Sequence, residues 1–188
     1  RHAPGVYVPR PQTEELARRA AALLPDGGRA VDLCTGSGAV AAHLAREVPT
    51  ATVIGVDVDP RAAANARGNG VVALIADLAA PFGPTARFDV VTAVAPYVPT
   101  EAIGLLPADV RAHEPRLALD GGPDGLDLVR RVVAAAGTLL RPGGWLMVEV
   151  GGDQDHVLAP GFASAGFGRV DSWADEDGDL RRMSAQRT

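Results

Sequence analysis

Gly36 and Gly38 close the apolar run Val31-Asp32-Leu33-Cys34 and open directly onto an alanine-rich stretch with helical spacing. A strand that ends in Gly-x-Gly and turns straight into a helix makes a backbone cradle, with its N–H groups aimed at a ligand. About 20 residues further on, Val53-Ile54-Gly55-Val56-Asp57 reads as a second buried strand ending in an acid, where a ribose-holding carboxylate belongs. The chemistry these residues suit is recognition of a nucleoside.

Gly36-Ser37-Gly38-Ala39-Val40-Ala41 also fits the loose dinucleotide fingerprint, so an NAD(P)-dependent oxidoreductase is one reading. Two features oppose it. The turn lacks a longer glycine-rich approach to a pyrophosphate, and the carboxylate of Asp32 just before it would repel phosphate charge. An acid there suits a ligand carrying a cationic amine. S-adenosylmethionine has that amine, a ribose for Asp57, and no phosphate. Asp77, ending a third strand, is placed to accept from the adenine amino group. The expected cofactor contacts are Asp32, Cys34, Thr35, Gly36, Ser37, Gly38, Asp57, Val58, Asp77, Leu78 and Val94. Cys34 reads as a small residue filling a tight turn rather than a reactive thiol.

The elements that must carry these residues alternate. A short extended segment, Gly5 to Val8, is closed by Pro9 and Pro11; Thr13 or Gln12 then caps a helix running to about Leu24. Strands are expected at about Val31, Thr52–Asp57, Val71–Ile75, Phe88–Val94 and Trp145–Val150. Helices are expected to about Val48, over Pro60–Arg67 behind an Asp59 cap, over Leu126–Leu140, and over Gln154–Ala165. Pro142-Gly143-Gly144 reads as a turn. Thr100 to Gly125 is a long irregular stretch with at most one short helix, of a length that is usually functional or mobile. Gly168–Trp173 and Leu180–Arg187 form an antiparallel hairpin at one edge. Continuous apolar strands alternating with helices give a mainly parallel sheet covered on both faces, with ligands beyond the strand C-termini.

The chain has 188 residues, 22% charged and 47% hydrophobic, with a formal net charge of −5. That fits one globular domain, residues 1–188, with 1–25 as a lid segment and its helix. The negative charge argues against a general nucleic-acid binder. No apolar run approaches the ~20 residues needed to span a bilayer, and Arg1-His2-Ala3-Pro4 lacks the core of a signal peptide, so a cytoplasmic protein is expected. No His/Cys/carboxylate cluster has metal-ligand spacing. His43 and His156 read as surface or packing residues, as do Tyr7 and the tryptophans, and Glu149 and Gln154 as structural.

Several runs together resemble the HemK-type protein-(glutamine-N5) methyltransferases. They are Val8-Pro9-Arg10-Pro11-Gln12-Thr13-Glu14, Asp32-Leu33-Cys34-Thr35-Gly36-Ser37-Gly38, Val56-Asp57-Val58-Asp59-Pro60, Pro96-Tyr97-Val98-Pro99 and His113-Glu114-Pro115-Arg116-Leu117-Ala118-Leu119. Asp120 to Asp127 and Pro142-Gly143-Gly144 follow in the family's order. The resemblance implies a Rossmann-like class I methyltransferase with a seven-stranded sheet, S-adenosyl-L-methionine as methyl donor and S-adenosyl-L-homocysteine as product. It also implies that Arg10 and its prolines form a lid over the cofactor end. Family enzymes carry a helical domain ahead of the Pro-Arg-Pro segment that holds the release factor; this chain begins at that segment, which leaves an upstream domain or a different substrate as the expectations.

The family's Asn-Pro-Pro-Tyr motif stands here as Val94-Ala95-Pro96-Tyr97, the expected substrate-positioning residues. In the family the asparagine oxygen accepts an N–H of the glutamine amide. An amide nitrogen is a poor nucleophile because its lone pair is delocalised, so orientation and electrostatics supply most of the catalysis. Val94 has no acceptor. The methyl acceptor is therefore expected to be either a glutamine amide held by main-chain carbonyls or an altered, small-molecule nucleophile. A binding module that keeps the cofactor without catalysis is the competing class. His113 is a candidate general base, though a loop-shaping role for His113 and Glu114 is preferred.

Overall fold

The computed structural model describes residues 1–175 and 178–188. Helix α1 is Pro11–Leu23, followed by β1 (Arg29–Leu33), α2 (Ala39–Glu47), β2 (Thr52–Asp57), α3 (Pro60–Gly68), β3 (Val72–Ile75) and β4 (Phe88–Ala93). After the long connection, with α4 (Ala108–His113) between short 3₁₀ turns at Thr100–Leu105 and Arg116–Ala118, come α5 (Asp127–Leu139), β5 (Leu140–Glu149), α6 (Gln154–Ser164), β6 (Phe167–Ala174) and β7 (Leu180–Arg187).

The described strands form a seven-stranded sheet ordered β3-β2-β1-β4-β5-β7-β6. Pairs from β3 through β5 are parallel, and β7 runs antiparallel to both β5 and β6. The chain moves outward from β1 through β2 to β3, then returns to place β4 on the other side of β1. That reversal opens a crevice at the C-terminal ends of β1 and β4, where ligands bind in such sheets.

Successive side chains of a strand point to opposite faces, so each central strand feeds two cores. Ala30, Val90 and Met147 face the small-residue surfaces of α1, α2 and α3, including Ala17, Ala20, Ala41, Ala63 and Ala66. Val31, Val91 and Leu146 face α5 and α6 through Val129, Val132, Val133 and Phe162. Each fully buried valine of α5 stabilises the fold by roughly 1.5–3 kcal/mol, so a charge at Val132 would strip α5 from the sheet.

Two local expectations are corrected. Neither Gln12 nor Thr13 caps α1: its N-cap is Arg10, with no side-chain cap and Pro11 at the first position. Proline has no N–H, so there is one donor fewer to cap, and the Thr13 hydroxyl is used elsewhere. Pro142-Gly143-Gly144 is not a separate turn but an irregularity within β5, where the pairing with β4 jumps from Phe88↔Leu140 to Val90↔Trp145.

Candidate active site

The loop after β1 is wound tightly by left-handed residues: Cys34 at φ 56°, Gly36 at 55° and Gly38 at 80°. Its geometry is fixed from outside. A Cβ on Gly55 of β2 would lie 2.8 Å from Thr35 Oγ1, and one on Gly38 would lie 2.9 Å from Val71 Cγ2 and 3.0 Å from Ala66 Cβ. Thr35 N donates to Val56 O (3.0 Å), Gly36 N to Asp57 Oδ2 (2.8 Å) and Gly38 N to Thr35 O (2.8 Å). These cradle amides are committed within the protein and do not face out toward a phosphate.

Asp32 is 2% exposed. Its Oδ2 accepts from Thr35 Oγ1 and its Oδ1 from Thr92 Oγ1, both at 2.7 Å. Burial pushes its pKa up to about 6, against the pull of the hydroxyls. A carboxylate accepts about four hydrogen bonds, so capacity remains on the cavity side. Asp57 also accepts from Asp59 N at 2.9 Å through Oδ1, and burial raises its pKa. Asp77 pairs with Arg131 of α5 at 2.7 Å, the two side chains being 55% and 56% exposed.

These groups wall a cavity of about 280 Å³. Of the expected residues, Asp32, Cys34, Thr35, Gly36, Ser37, Asp57, Val58, Asp77, Leu78, Val94 and Pro96 line it; Gly38, Ala95 and Tyr97 do not. Gly38 acts behind the wall by admitting Val71 and Ala66. Ala95 is buried. The Tyr97 hydroxyl turns away to donate to Glu149 Oε1 at 2.9 Å. Burial raises the Cys34 pKa, with Asp57 adding to it, which suits a filler rather than a nucleophile.

The other side of the cavity is roofed from two directions. Gly5, Val6, Tyr7, Pro9 and Thr13 come from the N-terminal segment and α1, and Pro115, Leu117 and Ala118 from the loop before α5. Arg10 joins the two halves, donating to Glu114 Oε1 at 2.6 Å while lying 5.0 Å from the centroid of the Tyr7 ring. Glu149 is fully buried; it accepts from Thr13 Oγ1 at 2.8 Å as well as from Tyr97, and burial raises its pKa. Gln154 Nε2 donates to Tyr97 O at 3.0 Å. The backbone beyond Tyr97 is stitched to the later loop by Val98 N→Leu119 O (3.1 Å) and Gly121 N→Val98 O (2.9 Å).

Sequence reasoning missed Thr92, Arg131, Leu128 and Tyr7 as site residues. Tyr7, read as packing, lines the cavity. His113 is exposed, with Nδ1 2.9 Å from Asp109 O, and does not line the cavity, so the loop-shaping reading holds for it. Among the described residues, no group of three or more His, Cys, Asp or Glu could hold a metal ion.

The donor set fits S-adenosyl-L-methionine and not a dinucleotide. Four aspartates, Asp32, Asp57, Asp59 and Asp77, line the cavity, the one arginine on the wall is paired with Asp77, and the Gly36 amide is taken by Asp57. Nothing there balances a diphosphate, whereas a ligand with an ammonium, a ribose and an adenine edge has a carboxylate available for each. Val58, Leu78 and Leu128 supply apolar surface for a flat base.

Comparison with known proteins agrees with this geometry. Residues 30–112 match a family profile described as a methyltransferase domain. The chain is 36% identical to a release factor glutamine methyltransferase of Thermosynechococcus vestitus, covering 97% of this chain and 67% of that protein. It is 41% identical to the 4-amino-L-phenylalanine/4-methylamino-L-phenylalanine methyltransferase of Streptomyces pristinaespiralis, over 87% of this chain and 60% of that one. A solved protein-(glutamine-N5) methyltransferase from Alicyclobacillus acidocaldarius superposes with a TM-score of 0.62 at 27% identity, covering 96% of this chain and 94% of that chain. The chain spans 60%, 58% and 54% of the length of three further release factor glutamine methyltransferases.

Proposed function

This chain belongs to the HemK-type protein-(glutamine-N5) methyltransferase family, and from that premise we propose that it methylates a nitrogen more nucleophilic than a glutamine amide. The proposed acceptor is a small-molecule amine with an apolar body. The observation that carries this reading is Val94: it lines the cavity and has no hydrogen-bond acceptor to orient an amide. The roof adds apolar surface from Val6, Pro9, Pro96 and Leu117. A relative whose printed substrate is an aromatic amine supports the same class.

In this reading Asp32 holds the methionine ammonium, Asp57 the ribose hydroxyls and Asp77 the adenine amino group. Cys34, Thr35, Gly36, Ser37 and Gly38 shape the cradle, and Val58 and Leu78 flank the base. Residues 1–188 act as one domain, with 1–25 as its lid, in the cytoplasm and without a nucleic-acid or membrane partner. S-adenosyl-L-methionine supplies an electrophilic methyl group. An amine lone pair would take that methyl group, the C–S electron pair passing to sulfur and the surplus proton on nitrogen to water. The protein's part is to align the nitrogen and exclude solvent.

The second reading, a glutamine amide of a release factor, is supported by the names of most of the close relatives and needs main-chain carbonyls to replace the missing side chain. Methyl transfer to 4-amino-L-phenylalanine, aliphatic amines and a release-factor glutamine peptide, followed by mass spectrometry, separates them. Methylation of the peptide alone would sink the first reading; tight S-adenosyl-L-homocysteine binding with no turnover on any acceptor would support the non-catalytic module.

A further inference from the structure

On the acceptor side of the cavity, away from Asp32, Asp57 and Asp77, few lining side chains carry a polar atom. Thr13 and Tyr7 are the ones that do. Thr13 is buried and its hydroxyl is held against Glu149 Oε2 at 2.8 Å, whereas Tyr7 is only half-buried. Tyr97, the tyrosine expected to face the acceptor, has instead turned its hydroxyl to Glu149 Oε1. Tyr7 therefore stands where a polar contact to the acceptor is needed. Arg10 braces Tyr7, its guanidinium lying 5.0 Å from the ring centroid and interacting with the phenolic oxygen, which keeps a second lone pair. Arg10 is itself fixed by Glu114 at 2.6 Å.

We infer that Tyr7 is the acceptor-positioning residue of this chain: its phenolic oxygen accepts an N–H from the incoming nitrogen, the contact that Val94 cannot make. The inference rests on the methyltransferase reading above, applied to a nitrogen acceptor. With one N–H anchored, the nitrogen lone pair is left to point at the methyl carbon. As the C–N bond forms, positive charge develops on nitrogen and its N–H bonds become stronger donors. The contact therefore tightens in the transition state, which is where binding raises the rate. The buried carboxylate of Glu149 supports that charge: its field acts on both Tyr7 and Tyr97. Burial, with Glu149, pushes the Tyr7 pKa up to about 12, so the phenol stays protonated and serves as a hydrogen-bond partner rather than a base.

The test is Tyr7→Phe, which keeps the ring and its packing under Arg10. With whichever acceptor the wild type methylates, kcat should fall about tenfold or more, and KM should move less, because the contact strengthens in the transition state. S-adenosyl-L-homocysteine affinity by calorimetry and the melting temperature should stay at wild-type values. An unchanged kcat/KM would overturn the inference, as would a loss of activity matched by equal losses of cofactor affinity and melting temperature, the mark of a merely structural residue. A wild type that methylates only the glutamine peptide defeats the small-amine reading and leaves the Tyr7→Phe ratio on that peptide to decide this one. A wild type inactive on every nitrogen acceptor overturns both.

Discussion

The Tyr97 hydroxyl donates to Glu149 Oε1 at 2.9 Å, across 52 residues of sequence. With Thr13 on the other oxygen, that carboxylate binds the exit of β4, the end of β5 and helix α1 into one unit. Replacing Glu149 by glutamine removes the charge but keeps an oxygen and an N–H₂ that either hydroxyl can meet by rotating. Glu149→Ala takes the shared acceptor from the buried Thr13 hydroxyl and the half-buried Tyr97 hydroxyl and leaves a cavity, at about 1–3 kcal/mol per unsatisfied group. Urea denaturation should therefore find Glu149→Gln within about 1 kcal/mol of wild type and Glu149→Ala at least about 3 kcal/mol less stable. Equal losses would show that the charge, not the pair of hydrogen bonds, holds the unit together.

Asp32 makes stability and ligand binding depend on pH in opposite senses. Its folded pKa of about 6 lies above the ordinary 3.8. The folded state thus keeps a proton that the unfolded chain releases, and stability falls as pH rises from about 4 to about 6. The shift corresponds to roughly 3 kcal/mol. Asp32→Asn should flatten that slope in denaturation measured across the window. A ligand ammonium prefers the ionised carboxylate, so S-adenosyl-L-homocysteine should bind about tenfold more weakly at pH 5 than at pH 7 in wild type. A calorimetric titration in which the asparagine variant shows the same pH dependence would remove Asp32 from that role.

Much of this arrangement was legible in the chain. Alternating elements dictate the parallel sheet and its C-terminal hairpin, and the position of each acid at a strand end makes Asp32, Asp57 and Asp77 neighbours. The rest depended on partners distant in sequence. Thr92 reaches Asp32 across 60 residues and Arg131 reaches Asp77 across 54. A threonine inside an apolar strand and an arginine on a helix carry no local sign of either role. Thr13 occupies a cap-like position, but its environment is set by Glu149, and the buried carboxylate outweighs the local preference. Tyr7 looks like packing because nothing in the first ten residues reveals that the 115–118 loop completes a cavity over it.

Arg10 and Glu114 form a latch whose two halves should fail unequally. Glu114 is 96% buried at its side chain while Arg10 is 29% exposed. Arg10→Met strands a buried carboxylate, a loss that reaches about 3–5 kcal/mol where the site cannot open. Here Arg10 is itself partly exposed, so water can reach the carboxylate once the guanidinium is gone, and a drop of a few degrees in melting temperature and faster cofactor dissociation are expected. The double variant Arg10→Met/Glu114→Gln should recover most of the lost stability, since a neutral pair needs no counter-charge. Recovery failing in a thermal melt would mean Arg10 acts through its stacking on Tyr7 instead.

Gly38→Ala tests the cradle itself. Its φ of 80° is left-handed, and the added methyl would meet Val71 Cγ2 at 2.9 Å and Ala66 Cβ at 3.0 Å. Strain and overpacking together should destabilise the protein by about 2–4 kcal/mol. Because Gly38 lies outside the cavity wall, the loss should show in denaturant titration first. A variant as stable as wild type would mean the loop is looser than its contacts imply.

Val94→Asn asks whether the missing acceptor is what excludes a glutamine amide. Val94 lines the cavity and packs partly buried against the α1–α2 side of the core. Asparagine is close in volume, so the fold should survive with a loss of about 1–2 kcal/mol for the polar group at a half-buried site. Its side-chain oxygen would restore an acceptor for one amide N–H. By analogy with a single transition-state hydrogen-bonding group, that is worth on the order of 10²–10³ in rate. Methylation of a release-factor glutamine peptide should therefore rise by at least about tenfold over wild type, while turnover of small amines, already oriented by Tyr7, changes little. If peptide methylation does not rise although the variant binds S-adenosyl-L-homocysteine normally, the discrimination lies in the roof formed by Tyr7, Pro9 and Leu117, and the side chain at 94 is not its source.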